Sequence, residues 1–180
     1  MNVLLISCYE LGHQPFGVAS AAAHLLAEGR HQVECLDLAV EVIDEAKVRR
    51  ADFVGISTPM HTAIRLGVKA GELVRGLNPQ CHICYFGLYA SLNEDYLLDG
   101  VADSVIGGEF ETPLTQHVDR LADAGPSRPG GVSLAELRGP PNLSRQQFLP
   151  PARHLLPPLE KYARLRPSEG ELRLVGYVEA

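Results

Sequence analysis

The chain has 180 residues, 46% of them hydrophobic, with 16 Lys+Arg against 22 Asp+Glu and a net charge of -6. These values describe one soluble globular domain with length to spare, and they exclude a disordered or fibrous chain. The acidic balance argues against nucleic acid as a partner, and no apolar run approaches the roughly 18 residues of a membrane-spanning helix.

Met1 leads directly into an apolar strand without a basic leader, so a cytoplasmic protein that does not contact the membrane is expected. In chain order, Val3 to Ser7 reads as a strand, Gly17 to Gly29 as a helix, and Gln32 to Leu36 as a second strand. Glu41 to Arg50 follows as a helix, Phe53 to Ser57 as a strand, and Thr62 to Arg75 as a helix ended by Gly76 and Asn78-Pro79. His82 to Phe86 is a fourth strand, Leu92 to Leu98 a short helix and Ser104 to Ile106 a fifth strand. Pro113 to Ala124 closes the series as a helix with proline in its first turn. Strands alternating with helices predict an α/β fold, a five-stranded parallel sheet of flavodoxin-like (Rossmann-like) order 2-1-3-4-5 with helices on both faces.

Only four of the 13 prolines lie in residues 1 to 125, and nine lie in residues 126 to 180. The first part carries 8 basic and 17 acidic residues, the second 8 and 5. A domain over 1–125 is therefore expected, then a Pro-rich linker over 126–170 and a last apolar strand over 171–180. The unpaired strand makes a homo-oligomer plausible.

In a sheet of this order the ligand crevice lies at the C-terminal ends of the first and third strands. The first loop there, Cys8 to Phe16, lacks both the dinucleotide glycine fingerprint and the nucleotide phosphate loop. Its length suits a large ligand. It contributes Tyr9, His13, Gln14, Pro15, Phe16 and Gly17 as candidates. Ser57 and Thr58 offer hydroxyls at the next helix start, either for a ligand oxygen or as a helix cap, with Met60 and His61 beside them. Gly87 leaves room for close approach to backbone, with Tyr89 two residues on. Gly107, Gly108 and Glu109 complete the rim at the fifth strand. Cys81 and Cys84 form a C-x-x-C pair, but strand alternation sends them to opposite faces. No second pair completes a zinc site, and His24, His82 and His117 read as structural. No catalytic constellation and no metal ligand set is assigned.

The segments MNVLLIS, GRHQVECLDLA, DFVGISTPM, CYFGLYAS and VADSVIGGEFE together resemble the N-terminal cobalamin (B12)-binding domain of B12-dependent radical SAM proteins. GGEFE is the most specific, being similar to the Gly-Glu-x-Glu that closes the fifth strand in that family. The D-x-H-x-x-G motif of many cobalamin modules is absent, since Leu11 stands two positions before His13. The resemblance implies cobalamin without histidine ligation, its nucleotide tail lined by Ser57, Thr58, Gly87 and Tyr89. RHLLPPLEKYARL at 153–165 resembles the family's bridging segment, and VGYVEA at 175–180 the first strand of the radical SAM barrel. The [4Fe-4S] cluster and S-adenosylmethionine would then belong to a missing radical SAM domain, and the parent enzyme would be of methyltransferase type. On this expectation the chain binds and presents the corrinoid and is not catalytic alone. Two alternatives stand: a degenerate scaffold domain that no longer binds cobalamin, and a flavodoxin-like FMN protein.

Overall fold

A computed structural model of the chain describes residues 1–124, 149–168 and 170–174. Five strands, β1 (Asn2–Ser7), β2 (Gln32–Asp37), β3 (Phe53–Ser57), β4 (His82–Phe86) and β5 (Ser104–Ile106), form one sheet in the order β2-β1-β3-β4-β5. All pairings are parallel, with Leu5 opposite Cys35 on one side and Gly55 on the other, and Gly55 opposite Cys84. The apolar runs of β3, β4 and β5 are buried throughout, as strands covered on both faces must be. This is the predicted α/β, flavodoxin-like architecture.

The helices are α1 (Phe16–Ala27), α2 (Glu45–Arg50), α3 (His61–Leu77), α4 (Leu88–Leu92), α5 (Glu94–Leu98) and α6 (Glu111–Ala124). One face of the sheet packs Leu4, Ile6, Val54, Ile56, Ile83 and Tyr85 against residues of α2, α3 and α5. The other packs Val3, Leu5, Phe53 and Phe86 against α1 and α6. Cys81 falls in the first cluster and Cys84 in the second, so strand alternation does separate them.

Several element ends differ from the sequence pattern for local reasons. α2 starts at Glu45 rather than Glu41, because the Asp44 carboxylate accepts the Lys47 N–H at 3.0 Å and caps the helix there. α3 runs through Gly76 to Leu77 and ends at Asn78, whose side chain donates to the carbonyls of Val48 and Ala51 at 2.9 and 2.8 Å. The short fourth helix is two, α4 and α5, broken at Asn93 with φ -127°. α6 begins at Glu111, which places Pro113 third in the helix, still before any intrahelical N–H is required.

Beyond the sheet domain, residues 149–163 return to it. Ala152 and Leu156 join the core under α1, and single 3-10 turns occur at Arg153–Leu155 and Leu159–Lys161. A two-residue antiparallel pair, β6 (Arg164–Leu165) and β7 (Arg173–Leu174), follows. The strand expected from VGYVEA and most of the Pro-rich stretch lie outside the described residues.

Candidate functional site at the C-terminal edge of the sheet

The loops leaving β1, β3, β4 and β5 meet at the edge where the winding reverses. The last three are knit by backbone bonds. Thr58 N–H donates to the Phe86 carbonyl at 2.8 Å, Tyr89 N–H to the Thr58 carbonyl at 3.1 Å, and Gly87 N–H to the Ile106 carbonyl at 2.9 Å. Thr58 is fully buried, and its hydroxyl also donates to the Phe86 carbonyl at 3.0 Å. The Thr58 proton is thus given to the β4 backbone, which leaves the oxygen's lone pairs for a ligand donor, and α3 begins after Met60 without a side-chain cap.

Gly87 has φ 106° and ψ -178°, backbone open essentially to glycine alone, and an added Cβ would stand 3.3 Å from the Thr58 carbonyl oxygen. The neighbour approaching its backbone is therefore the β3 loop. At Gly107 a Cβ would collide with the Ser91 side chain, whereas at Gly108, with φ 64°, nothing stands within 4 Å. Glycine at 87 and 107 lets the loops close on one another. Gly108 and Glu109 remain exposed at the rim.

Ser57 differs from its neighbour. It is 4% exposed, and its Oγ would lie 3.5 Å from a Cβ placed on Gly17, with the Phe110 ring at 3.6 Å. The first turn of α1, the end of β3 and the β5–α6 loop converge there. Phe110 packs in turn on Phe86, centroids 4.9 Å apart. Ser20 donates to Glu111 Oε1 at 2.9 Å, tying α1 to the start of α6.

Loop 1, Cys8 to Pro15, turns through Leu11 (φ 53°) and Gly12 (φ 81°). The Glu10 carboxylate accepts the Phe16 N–H at 3.1 Å and sits at the N-terminus of α1, where the helix dipole favours a negative charge. His13 N–H donates to the Glu10 carbonyl at 2.8 Å. Tyr9, His13, Met60 and Tyr89 are half-buried and His61 is exposed, while Pro15 and Gln14 are buried. Gln14 faces residues 149–163, donating from Nε2 to the Pro157 carbonyl and accepting from Arg153 on Oε1, both at 2.9 Å. Arg153 also lies over the Phe16 ring, 5.9 Å from its centroid.

At the end of β2, Asp37 is 1% exposed. Burial raises its pKa, while the Ala39 N–H and the Tyr162 hydroxyl hold it down. Tyr162 is pushed up by burial and by that carboxylate. Burial pushes the thiols of Cys8, Cys35, Cys81 and Cys84 up to about 12, so none is a thiolate nucleophile or a ready metal ligand near neutral pH. An open groove of about 420 Å³ lies elsewhere, between α3 and α5 beside Glu72, Arg75 and Tyr96. Its arginine is committed to Asp103 and to the carbonyls of Cys81 and Pro79.

What assembles at this edge is a buried serine, closely packed glycines and half-buried aromatic residues, with the carboxylates of Glu10 and Asp37 beside them and Glu109 exposed at the rim. A B12 binding domain family model matches residues 2–118, which include all five strands and the four loops. The chain belongs to the B12 binding domain family. No curated protein matches the chain. Among solved structures, this B12-binding domain is similar to a CheY-like response regulator receiver domain from Methanospirillum hungatei JF-1. The likeness has a TM-score of 0.49 and 16% identity, covering 68% of this chain and 94% of that one. Among the described residues no helix is long and apolar enough to cross a membrane, and no group of three His, Cys, Asp or Glu could hold a metal ion.

The residues present are compatible with a large ligand such as a corrinoid: Gly108 is exposed with nothing within 4 Å of an added Cβ, and Ser57 Oγ sits at the α1–β3 junction. Sequence reasoning missed Phe110, Asp37 and the docking of Arg153, Pro157 and Tyr162 on this edge. The 153–165 segment was visible as a distinct motif, but nothing in its pattern indicated that loop 1 is what it touches.

Proposed function

We propose that this domain binds cobalamin at the C-terminal edge of its sheet and presents it to a radical SAM domain following in the parent protein. The observation that carries the reading is the family match over residues 2–118, whose four crevice loops meet at one edge. Cobalamin, when bound, supplies a cobalt centre suited to carrying one-carbon groups. The chain's own residues bind and orient it. Ser57 offers a hydroxyl at the head of the crevice, Gly108 keeps the rim low, and Tyr9, Met60 and Tyr89 supply apolar surface for a large ring.

Leu11 occupies the place two residues before His13 where a carboxylate would orient a ligating imidazole. The cobalt is therefore held without His13, and partner, cluster and S-adenosylmethionine belong to the neighbouring domain. The test is the absorption spectrum after reconstitution with hydroxocobalamin. The full chain retains about one corrinoid after desalting, and His13→Ala leaves the spectrum unchanged. A blue-shifted cobalamin band in His13→Ala alone would assign His13 to the metal and refute the ligation half.

A degenerate scaffold is the second reading, favoured by two candidates already committed to structure: the Thr58 hydroxyl and the Gln14 amide. No retained corrinoid in the same experiment supports that reading.

A further inference from the structure

The segment after the sheet domain touches it at α1, along loop 1 and at the end of β2. Ala152 N–H donates to the Ala19 carbonyl on α1, and Ala163 N–H donates to the Gly12 carbonyl, both at 2.9 Å. Between these points the Gln14 amide is held from both sides, by Arg153 on Oε1 and by Pro157 on Nε2. Tyr162, 7% exposed, is buried beside Asp37 at the end of β2. The segment thus crosses loop 1 from α1 to the end of β2, and Gly108 on the β5 loop remains exposed.

Loop 1 needs such a support. Leu11 is a non-glycine residue at φ 53°, an unfavourable conformation that persists where the surroundings over-determine it. Within the loop, the bonds that fix it include His13 N–H to the Glu10 carbonyl and Phe16 N–H to the Glu10 carboxylate. Gly12 is pinned from outside, since a Cβ there would meet Ala163 Cβ at 3.1 Å.

We propose that residues 149–163 are a strap that holds loop 1 in its ligand-binding shape, with Gln14 as the positioning residue that clasps it. The ligand half of this inference rests on the cobalamin reading of the site. Gln14 then acts on the corrinoid through loop 1 rather than by contact. Because coupling between two binding events is reciprocal, a bound corrinoid must tighten the strap by the same factor that the strap tightens the corrinoid.

The test uses the full chain and the double variant Arg153→Ala/Ala163→Pro. The second substitution removes the N–H that bonds Gly12, and Tyr162 is already extended, as a residue before proline prefers. Gln14→Leu serves as an independent release of the clasp. Two quantities are read: amide exchange by segment, and the hydroxocobalamin dissociation constant by absorbance titration. Expected are exchange at least about tenfold faster in residues 8–16 and 149–163, unchanged exchange in β3 to β5, and a dissociation constant raised about tenfold. Saturating hydroxocobalamin slows exchange of 149–163 in the unaltered chain. Three results overturn the proposal: strap exchange that neither variant accelerates, an accelerated strap with loop 1 unmoved, or an unchanged dissociation constant. If the unaltered chain binds no hydroxocobalamin, the cobalamin reading fails and with it the ligand half. The exchange data then still judge the coupling of strap and loop.

Discussion

The two edges of the sheet dispose of their polar groups differently. At the N-terminal edge, side chains are spent on one another. Asp103 accepts the Ile83 N–H at 2.8 Å and the Arg75 guanidinium, which also holds the Cys81 carbonyl at 2.7 Å. His82 meets Ser104 Oγ at 2.8 Å, His117 lies 3.2 Å from His82, and Phe53 stacks on the His82 ring with centroids 5.4 Å apart. At the C-terminal edge the loops after β3, β4 and β5 are joined mainly by backbone bonds and close-packed glycines, with Ser57 at the α1 junction and Tyr9, Tyr89 and Gly108 towards the rim. Side chains locked in a network rigidify a fold, whereas an edge closed by its own backbone keeps side chains for a ligand. The His82–Ser104–His117 group belongs to the first kind, in keeping with the structural role that its sequence positions imply.

The largest expected effect breaks the N-terminal network. Asp103→Ala leaves the half-buried Arg75 guanidinium without its carboxylate and the buried Ile83 N–H without its acceptor, and lowers stability by about 3–5 kcal/mol in denaturant melts. If the edges are independent, a folded fraction of this variant still takes up corrinoid.

Next is pH. Burial and the neighbouring His82 lower the His117 pKa to about 4. Below pH ~6.5 the unfolded chain binds a proton that the folded chain refuses until about pH 4, so stability falls as pH drops through that window. The loss is on the order of 3 kcal/mol for a shift of this size. His117→Gln flattens the dependence of the unfolding midpoint between pH 7 and 4, and an equally steep profile in that variant would place the titrating group elsewhere.

Gly87→Ala strains the other edge. Backbone at φ 106° and a Cβ 3.3 Å from the Thr58 carbonyl oxygen cost about 1–3 kcal/mol, read as a lower thermal midpoint. Thr58→Val is the mildest. The Phe86 carbonyl keeps its bond from the Thr58 N–H, so losing the hydroxyl costs about 1 kcal/mol. Corrinoid affinity that falls more than stability in Thr58→Val would return the hydroxyl to the ligand.

Much of the fold was legible in the sequence because buried parallel strands read as unbroken apolar runs, as FVGIS and HICYF do, and short crossovers leave few windings. Helix ends were less so, since Asp44 caps α2 through a side chain that a period does not reveal, and Asn93 breaks a helix through its backbone angle. For the site, the switch point named four loops, and the structure brings them together at one edge of the sheet. Which residue faces outward was not legible. Ser57 and Thr58 are adjacent hydroxyls, and only the register of β3 against β4 commits one to a carbonyl and leaves the other at the α1 junction. Gln14 was hidden for a different reason, because its partners lie 139 and 143 residues away.

The most direct test of the central claim is amide exchange of the full chain with and without saturating hydroxocobalamin. The account predicts slower exchange in residues 8–16, 57–61, 87–91 and 107–111, with residues 79–82 and 100–103 unchanged. Protection confined to the α3–α5 groove, or no protection at all, would contradict it.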